Sequence, residues 1–512
     1  VSKRFLLAIA LSLGFLGLYV LTSSRTVILH HDDAAEFQTI GVIGGVPHQP
    51  YPLWCLIAKS FALLPIGEPA FRITLLSIVF GCVTIAFLFH FVIRITSDAA
   101  AAAAAAVVLG LSMTFWRNAV VAEVYTMNTF LFVSLLIAAV RWLTTHSRRD
   151  WLLFMFTLGL LISHHQVNIA LLPAIALAAA WHREEIRRHV PATFLVAGAV
   201  IFLIPFSLYL YTYVIDRLST PMNWYDNYGK YLYAAAGNDP GAFENFFERI
   251  RFQMFVGRLG PFLPTAGEFV SRLAVWLRNV FSFELPVAAS LLAVGGFLFT
   301  CRIKWRVAVL ALAAAFPTVF LALVVGGGVT RDVYSLAVLT LLAILAGVCT
   351  ARLRGYRRRW HIGSHALPIM VLVLVFLFPY LQLSFSPGRL NWLAGDNASK
   401  YFHHLQASND DGRTLANSAA ETIPRGSLVF AEWSESNVLK YAKLVAGDLD
   451  GIEVSYVLPK KEYMMDVIAD KKPLHLFFTA APEDYGFETS RAIPLLTGFQ
   501  LYRVEVPAVG GR

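Results

Sequence analysis

Apolar runs of membrane-spanning length recur along this chain, and they leave few folds open to it. Residues 5–21 follow Lys3 and Arg4, and further runs cover 70–95, 99–111, 127–143, 151–163, 167–181, 192–213, 285–300, 307–325, 333–350 and 366–383. A lipid core offers backbone groups no hydrogen-bond partner, so such runs must be helices. With 57% of its residues hydrophobic, the chain carries more apolar surface than a soluble globule hides. The reading is a polytopic α-helical membrane protein with about eleven spans. A cleaved signal peptide is the rival for residues 5–21; no small-x-small site follows, so the run is read as an uncleaved first helix. Residues 53–64 are too short to span.

The net charge of +9 could suggest a nucleic-acid partner. Its placement explains it better, because Lys and Arg gather in alternate short loops (Arg141 to Arg149, Arg183 to His189, Arg302 to Arg306, Arg352 to Arg359). The positive-inside rule then puts the N-terminus inside and the C-terminus outside. The four cysteines lie in or beside apolar runs without metal-ligand spacing, and no disulfide is expected.

This topology puts the polar clusters on one face. The first loop carries Asp32, Asp33 and Glu36, then His48 within Pro47-His48-Gln49-Pro50-Tyr51-Pro52. Acids beside a span are costly near lipid, which favours function; a solvated loop is the alternative. The same face carries Arg72, the stretch Trp116 to Tyr125 with Arg117 and Glu123, the pair His164 and His165, Trp224 with Asp226, and Arg331 with Asp332 after Gly326 to Gly328. Each alone could be a cap or an anchor. Tyr125 and Trp224 suit the aromatic belt, and Arg331 could simply pair with Asp332. The long outer segment 214–284 is expected to hold short helices over this face.

From about residue 384 the composition becomes that of a soluble domain. Strand-like runs at 427–432, 451–457, 474–479 and 499–506 alternate with helical spacing at 435–446 and 460–469. This predicts an α/β domain with a partly parallel sheet. No Gly-rich fingerprint opens its helices, so nucleotide binding is unsupported.

Asp33-Ala34-Ala35-Glu36 followed by His48-Gln49-Pro50-Tyr51-Pro52 resembles the first lumenal loop of a family of GT-C-type polytopic glycosyltransferases, with mostly uncharacterised bacterial members and an animal protein O-mannosyltransferase member. That family's pattern is Asp-x-Gly-Glu, then His-Pro-Pro-Gly-Tyr-Pro; here Ala35 replaces the glycine and the second run is one residue shorter. Trp116, Glu123, Val124, Tyr125 and Asn128 resemble a second motif, Gly159-Leu160 with His164-His165 a third. Arg72 with Leu75 and Ser77, and Pro221-Met222-Asn223-Trp224, resemble further elements. The likeness covers roughly residues 1–235 and is weak beyond, through residues 426–430. It implies a GT-C domain over 1–383, with outer loops 23–52 and 214–284, and an extracytoplasmic α/β domain over 384–512. It implies an inverting transfer from a polyprenyl-phosphate sugar, with mannose as the sugar, Asp33 as base and Glu36 as its partner. The bacterial membership points to an inner membrane with the site and C-terminus on the periplasmic side.

Such a transfer needs a base for the acceptor hydroxyl, cations for the departing phosphate and a cavity open to lipid. Asp33 and Glu36 share a face if their segment is helical; Asp32 and Asp33 diverge if it is extended. The expected substrate-binding set is Asp32, His48, Arg72, Arg117, Glu123, Tyr125, His165, Trp224 and Arg331, with Arg331 favoured for phosphate because glycines precede it. The expected partners are the lipid-linked sugar, an extracytoplasmic protein or glycan acceptor and membrane lipids. The acids and His48 suffice for a divalent ion; no metal or other cofactor is expected, following the family. The rivals are a flippase or transporter of lipid-linked sugars, for which repeats and midplane polar residues would be expected, and a non-catalytic scaffold.

Overall fold

The computed structural model of the chain describes residues 3–29, 33–218, 220–256, 264–285, 287–325, 333–359, 406–407, 409–495 and 500–507. Eight helices open it: α1 (Lys3–Thr22), α2 (Ala34–Ile43), α3 (Pro52–Ala62), α4 (Pro69–Thr96), α5 (Ala99–Gly110), α6 (Met113–Ala119), α7 (Tyr125–Thr145) and α8 (Arg148–His164). Among the described residues, six helices are long and apolar enough to cross a membrane: α1, α4, α7, Ala192–Arg217, Trp305–Val324 and Leu336–Gly355. The protein is an integral membrane protein. The other expected spans fall on shorter pieces: α8, Gln166–Trp181 and Ala288–Ile303. The run at 366–383 lies outside the described residues.

The expected span over 99–111 is not a straight rod. Asp98 caps α5 by accepting from the Ala100 and Ala101 amides at 2.8 and 3.0 Å. The alanines then let α5 lie buried against its neighbours. The helix breaks at Leu111 and Ser112, and α6 turns away by 70°. The two together make a seventh candidate span. The turn drives Trp116 and Arg117 inward, where both are buried.

Basic loops meet one another, as a common end of the bundle requires. Arg354 pairs with Asp98 at 2.8 Å, Arg4 reaches the Ser97 carbonyl at 3.4 Å, and His146 stacks on His189 at 4.4 Å. Helix α2, buried on nearly every side, and α3, too short to span as expected, belong to the other end.

Beyond residue 406 the chain forms a mixed sheet from β1 (Ser427–Ala431), β2 (Glu453–Tyr456), β3 (His475–Phe478), β4 (Thr489–Pro494) and β5 (Gln500–Val504) in the order β2-β1-β3-β5-β4. Its β1–β2 and β1–β3 pairs are parallel, the rest antiparallel. Alternation along β1 sends Leu428 and Phe430 toward helix Lys461–Lys471, and Val429 and Ala431 toward helices Asp411–Thr422 and Trp433–Tyr441. That second face does not stop at the sheet. Its apolar cluster runs on through Val27, Leu29, Ala35 and Ala70 of the membrane part. Gly412 sits so close to Val27 that a Cβ would lie 2.4 Å from its carbonyl oxygen. Arg413 pairs with Glu68 at 2.6 Å, and the Ala70 amide donates to the Tyr441 hydroxyl at 3.1 Å.

Candidate active site

Asp33 stands at the N-cap of α2 and Glu36 in its first turn, where the free amides of a helix start favour negative charge. The spacing of three puts both carboxylates on one side. The returning loop is pinned from outside. Gly45 passes the Met222 carbonyl so closely that a Cβ would lie 2.5 Å from it. The Val46 amide donates to Met222 O and the Trp224 amide to Val46 O, both at 2.9 Å. Gln253 Nε2 donates to Pro47 O at 2.8 Å. The outer segment thus fixes His48 over the start of α2.

His48 lies between the two acids. Its Nδ1 is 2.6 Å from Glu36 Oε2 and its Nε2 3.3 Å from Asp33 Oδ2. Its backbone amide donates to Glu36 Oε1 at 2.9 Å. Gln49 Nε2 lies 3.1 Å from His48 Nε2. A neutral ring donates to Glu36 and accepts from Gln49; a protonated ring donates to both carboxylates. Taking up a proton on Nε2 beside Asp33 therefore exchanges the Gln49 contact for one with the carboxylate. A polar chain continues inward: the Tyr51 hydroxyl donates to Gln49 Oε1 and lies 3.4 Å from His165 Nε2. His165 Nδ1 accepts from the Val167 amide at 3.1 Å, and the Tyr125 ring stands 5.7 Å from the His165 ring. Asp33, Glu36, His48, Tyr125 and His165 are thus brought together.

Other expected residues go elsewhere. Arg72 spends its guanidinium on the Ala62, Ile66 and Gly67 carbonyls at 3.0 to 3.3 Å, so it clamps the turn after α3. Glu123 is buried; its backbone carbonyl accepts from Ser77 Oγ at 2.8 Å and from Trp54 Nε1 at 3.2 Å, while its carboxylate charge acts on Tyr125 as Asp33 does. Trp224 packs among Val46 and Tyr225 behind the loop. Arg117 is 4% exposed, with Nε and Nη2 buried and unpartnered among the described residues. Asp32 and Arg331 lie outside the described residues.

The outer wall comes from a part of the chain with no expected role in the site. Trp433 Nε1 donates to Asp33 Oδ1 at 3.3 Å, and its ring meets His48 edge-on at 5.4 Å. Tyr456 stacks on Trp433 at 4.9 Å, and Lys440 Nζ stands 3.3 Å from the Tyr456 ring centroid. Burial pulls the Lys440 ammonium down from 10.5 to about 7, with the Glu36 carboxylate offsetting part of the shift. Residues 433, 436, 437 and 440 show helical spacing in the sequence, but a polar stripe of that kind reads as a solvated face.

Asp33, Glu36 and His48 each offer one ligand atom within 4.8 Å of the others, a set that suits a hard divalent ion. An ion there would displace the His48 contacts that already bridge the carboxylates. A groove of about 480 Å³ lined by Asp216, Asp226, Lys230, Tyr231, Arg249 and Tyr463 lies elsewhere. Its Arg249 is paired with Asp216 at 2.7 Å and Asp226 at 3.4 Å, so the acid–histidine cluster is the stronger candidate for chemistry.

Residues 33–188 match the family described as Protein O-mannosyl-transferase TMEM260 N-terminal domain. The resemblance read from the motifs holds over this stretch. The Mus musculus Protein O-mannosyl-transferase TMEM260 is 35% identical over 133 residues, which are 26% of this chain and 18% of the mouse protein. The match thus spans less than a fifth of that relative's length. The crystal structure of ArnT from Cupriavidus metallidurans in the apo state is similar with a TM-score of 0.55 and 14% identity, covering 97% of each chain. The chain has the GT-C fold. Within it, the Asp33–His48–Glu36 cluster lies in the family-matched stretch, and the wall that closes it lies outside that stretch.

Proposed function

We propose that this protein is a membrane glycosyltransferase that moves a sugar from a polyprenyl-phosphate carrier to a hydroxyl of an extracytoplasmic protein or glycan. The observation that carries the reading is Asp33 held at the start of α2 with His48 between it and Glu36. The matched domain and the fold support it, and the mouse relative's name makes mannose the sugar of choice. Asp33 takes the proton of the acceptor hydroxyl as its oxygen bonds to the sugar C1. The C1–O bond to phosphate breaks on the opposite side, and the phosphate leaves with the electron pair, giving inversion. The Asp33 proton can pass on to His48, whose Glu36 contact stabilises the imidazolium. Arg117 is the described cation best suited to the phosphate, since its Nε and Nη2 are buried without a hydrogen-bond partner among the described residues. Arg331 shares that proposed role by its place in the sequence. No resident metal is proposed, because His48 already bridges the two carboxylates where an ion would sit.

We place the site and the α/β unit on the outer side of the membrane from the placement of the basic loops, and take that membrane to be a bacterial inner membrane from the family's bacterial members. The test is transfer by the purified full chain from a panel of polyprenyl-phosphate sugars to hydroxyl acceptors, with and without a chelator. Equal product from the wild type and Asp33→Asn would overturn the reading; loss of transfer with chelator would restore a metal.

A further inference from the structure

Helix Trp433–Tyr441 buries a polar face. Trp433, Ser436, Asn437 and Lys440 fall on one side of it by the helical period, and the last three are 0, 1 and 5% exposed. Ser436 Oγ, Asn437 Nδ2 and Lys440 Nζ are buried without a hydrogen-bond partner among the described residues. The Tyr456 hydroxyl donates to Asn437 Oδ1 at 2.8 Å, which leaves the amide NH₂ as the free end. Folded proteins seldom leave several buried donors unmet in one place. An ammonium and an amide NH₂ only donate, and a hydroxyl can do so too. The set therefore calls for an anion.

The charge that acts on Lys440 is that of Glu36. Its two oxygens, however, are taken by the amide and ring of His48. The ammonium rests instead against the face of Tyr456, a weak hold that a true counter-ion would displace. A phosphate offers several oxygens to several donors at once. Trp433 on this helix and His48 against its ring are both partly exposed.

We propose that Ser436, Asn437 and Lys440 form a phosphate-binding subsite, supplied by the α/β unit beside the acid pair. The inference rests on the transfer reading only in taking its phosphate to be that of the lipid-linked donor. The subsite would then hold the leaving group from the side opposite the membrane helices.

The experiment measures binding, so it needs no turnover. Purified full-length protein in detergent is titrated with farnesyl phosphate, inorganic phosphate and farnesol by calorimetry. Lys440→Met should weaken farnesyl phosphate at least tenfold, Lys440→Arg should stay within about threefold of wild type, and farnesol should not distinguish them. Ser436→Ala, a small change that spares folding, should weaken the phosphate a few-fold. Inorganic phosphate showing the same Lys440 dependence marks the phosphate group itself as the ligand; dependence with farnesyl phosphate alone marks a lipid phosphate. Equal affinity of wild type and a folded Lys440→Met, or no phosphate binding to wild type, overturns the subsite. Lys440-dependent binding without transfer from any sugar donor would keep the subsite and remove the transferase reading.

Discussion

The indole N–H of Trp433 donates to Asp33 Oδ1 across 400 positions of sequence. The proposed base is therefore oriented from two sides, by Trp433 on one oxygen and His48 near the other. Trp433→Phe keeps the ring on Tyr456 and removes only the donor. It should lower kcat about tenfold to a hundredfold with little change in KM, the cost of one hydrogen bond to a charged group. A rise in KM alone would make Trp433 a substrate contact instead.

Asp33→Asn should abolish transfer, with a loss of at least about a hundredfold, as removal of a general base gives. Glu36→Gln should be partly impaired, since it still accepts from His48. Asp32→Asn should be mildest. The three are compared by sugar transfer with donor binding checked separately. Near-normal turnover in Asp33→Asn with loss in Asp32→Asn would move the base by one residue.

Arg117→Gln should weaken binding of a prenyl-phosphate donor roughly tenfold or more while the protein stays folded, because its Nε and Nη2 have no hydrogen-bond partner among the described residues. Arg72→Ala should show first as a lower Tm, because it strips the turn after α3 of its clamp. Unchanged donor affinity in Arg117→Gln would leave the phosphate to Lys440 and Arg331.

Stability should depend on pH through Lys440. The unfolded chain keeps this proton up to about 10.5, whereas the folded protein releases it above about 7. The burden on the fold is thus complete below pH 7 and is relieved as pH rises toward 10.5. At roughly 1.4 kcal/mol per pH unit the full span is worth on the order of 5 kcal/mol. Lys440→Met removes the dependence, so its stability advantage over wild type should shrink from pH 7 to pH 10 in denaturation midpoints. A constant difference would show that Lys440 keeps one charge state throughout.

Cysteines placed at Asp450 and Gly355 should label from opposite sides of the membrane. Asp450 is largely exposed on the α/β unit, and Gly355 has open space around it. Labelling of both from one side would break the proposed orientation.

The spans were legible because apolar length is a local property, and the Asp33–Glu36 pair because helical spacing is. The bend after Gly110 was not, since an alanine run carries no mark of where it will turn. Arg72 gave no sign that nearby carbonyls would absorb it, and Trp224 none that its backbone, rather than its ring, would serve the loop. Trp433 and Lys440 were illegible for a different reason. Asp33, His48 and Glu36, which they face, lie at the far end of the sequence, and only docking of the sheet on Val27, Leu29 and Ala70 turns a surface-like stripe into a buried one.

That docking also sets an order of events during biosynthesis. A ribosome exposes α2 and its acids early, but the wall over them exists only after residues 411–456 have emerged and folded. Until then the two acids and His48 stand without a roof. The cluster would thus be complete only once residues 411–456 have folded onto α2, and half-made protein would meet the lipid pool with its acids uncovered.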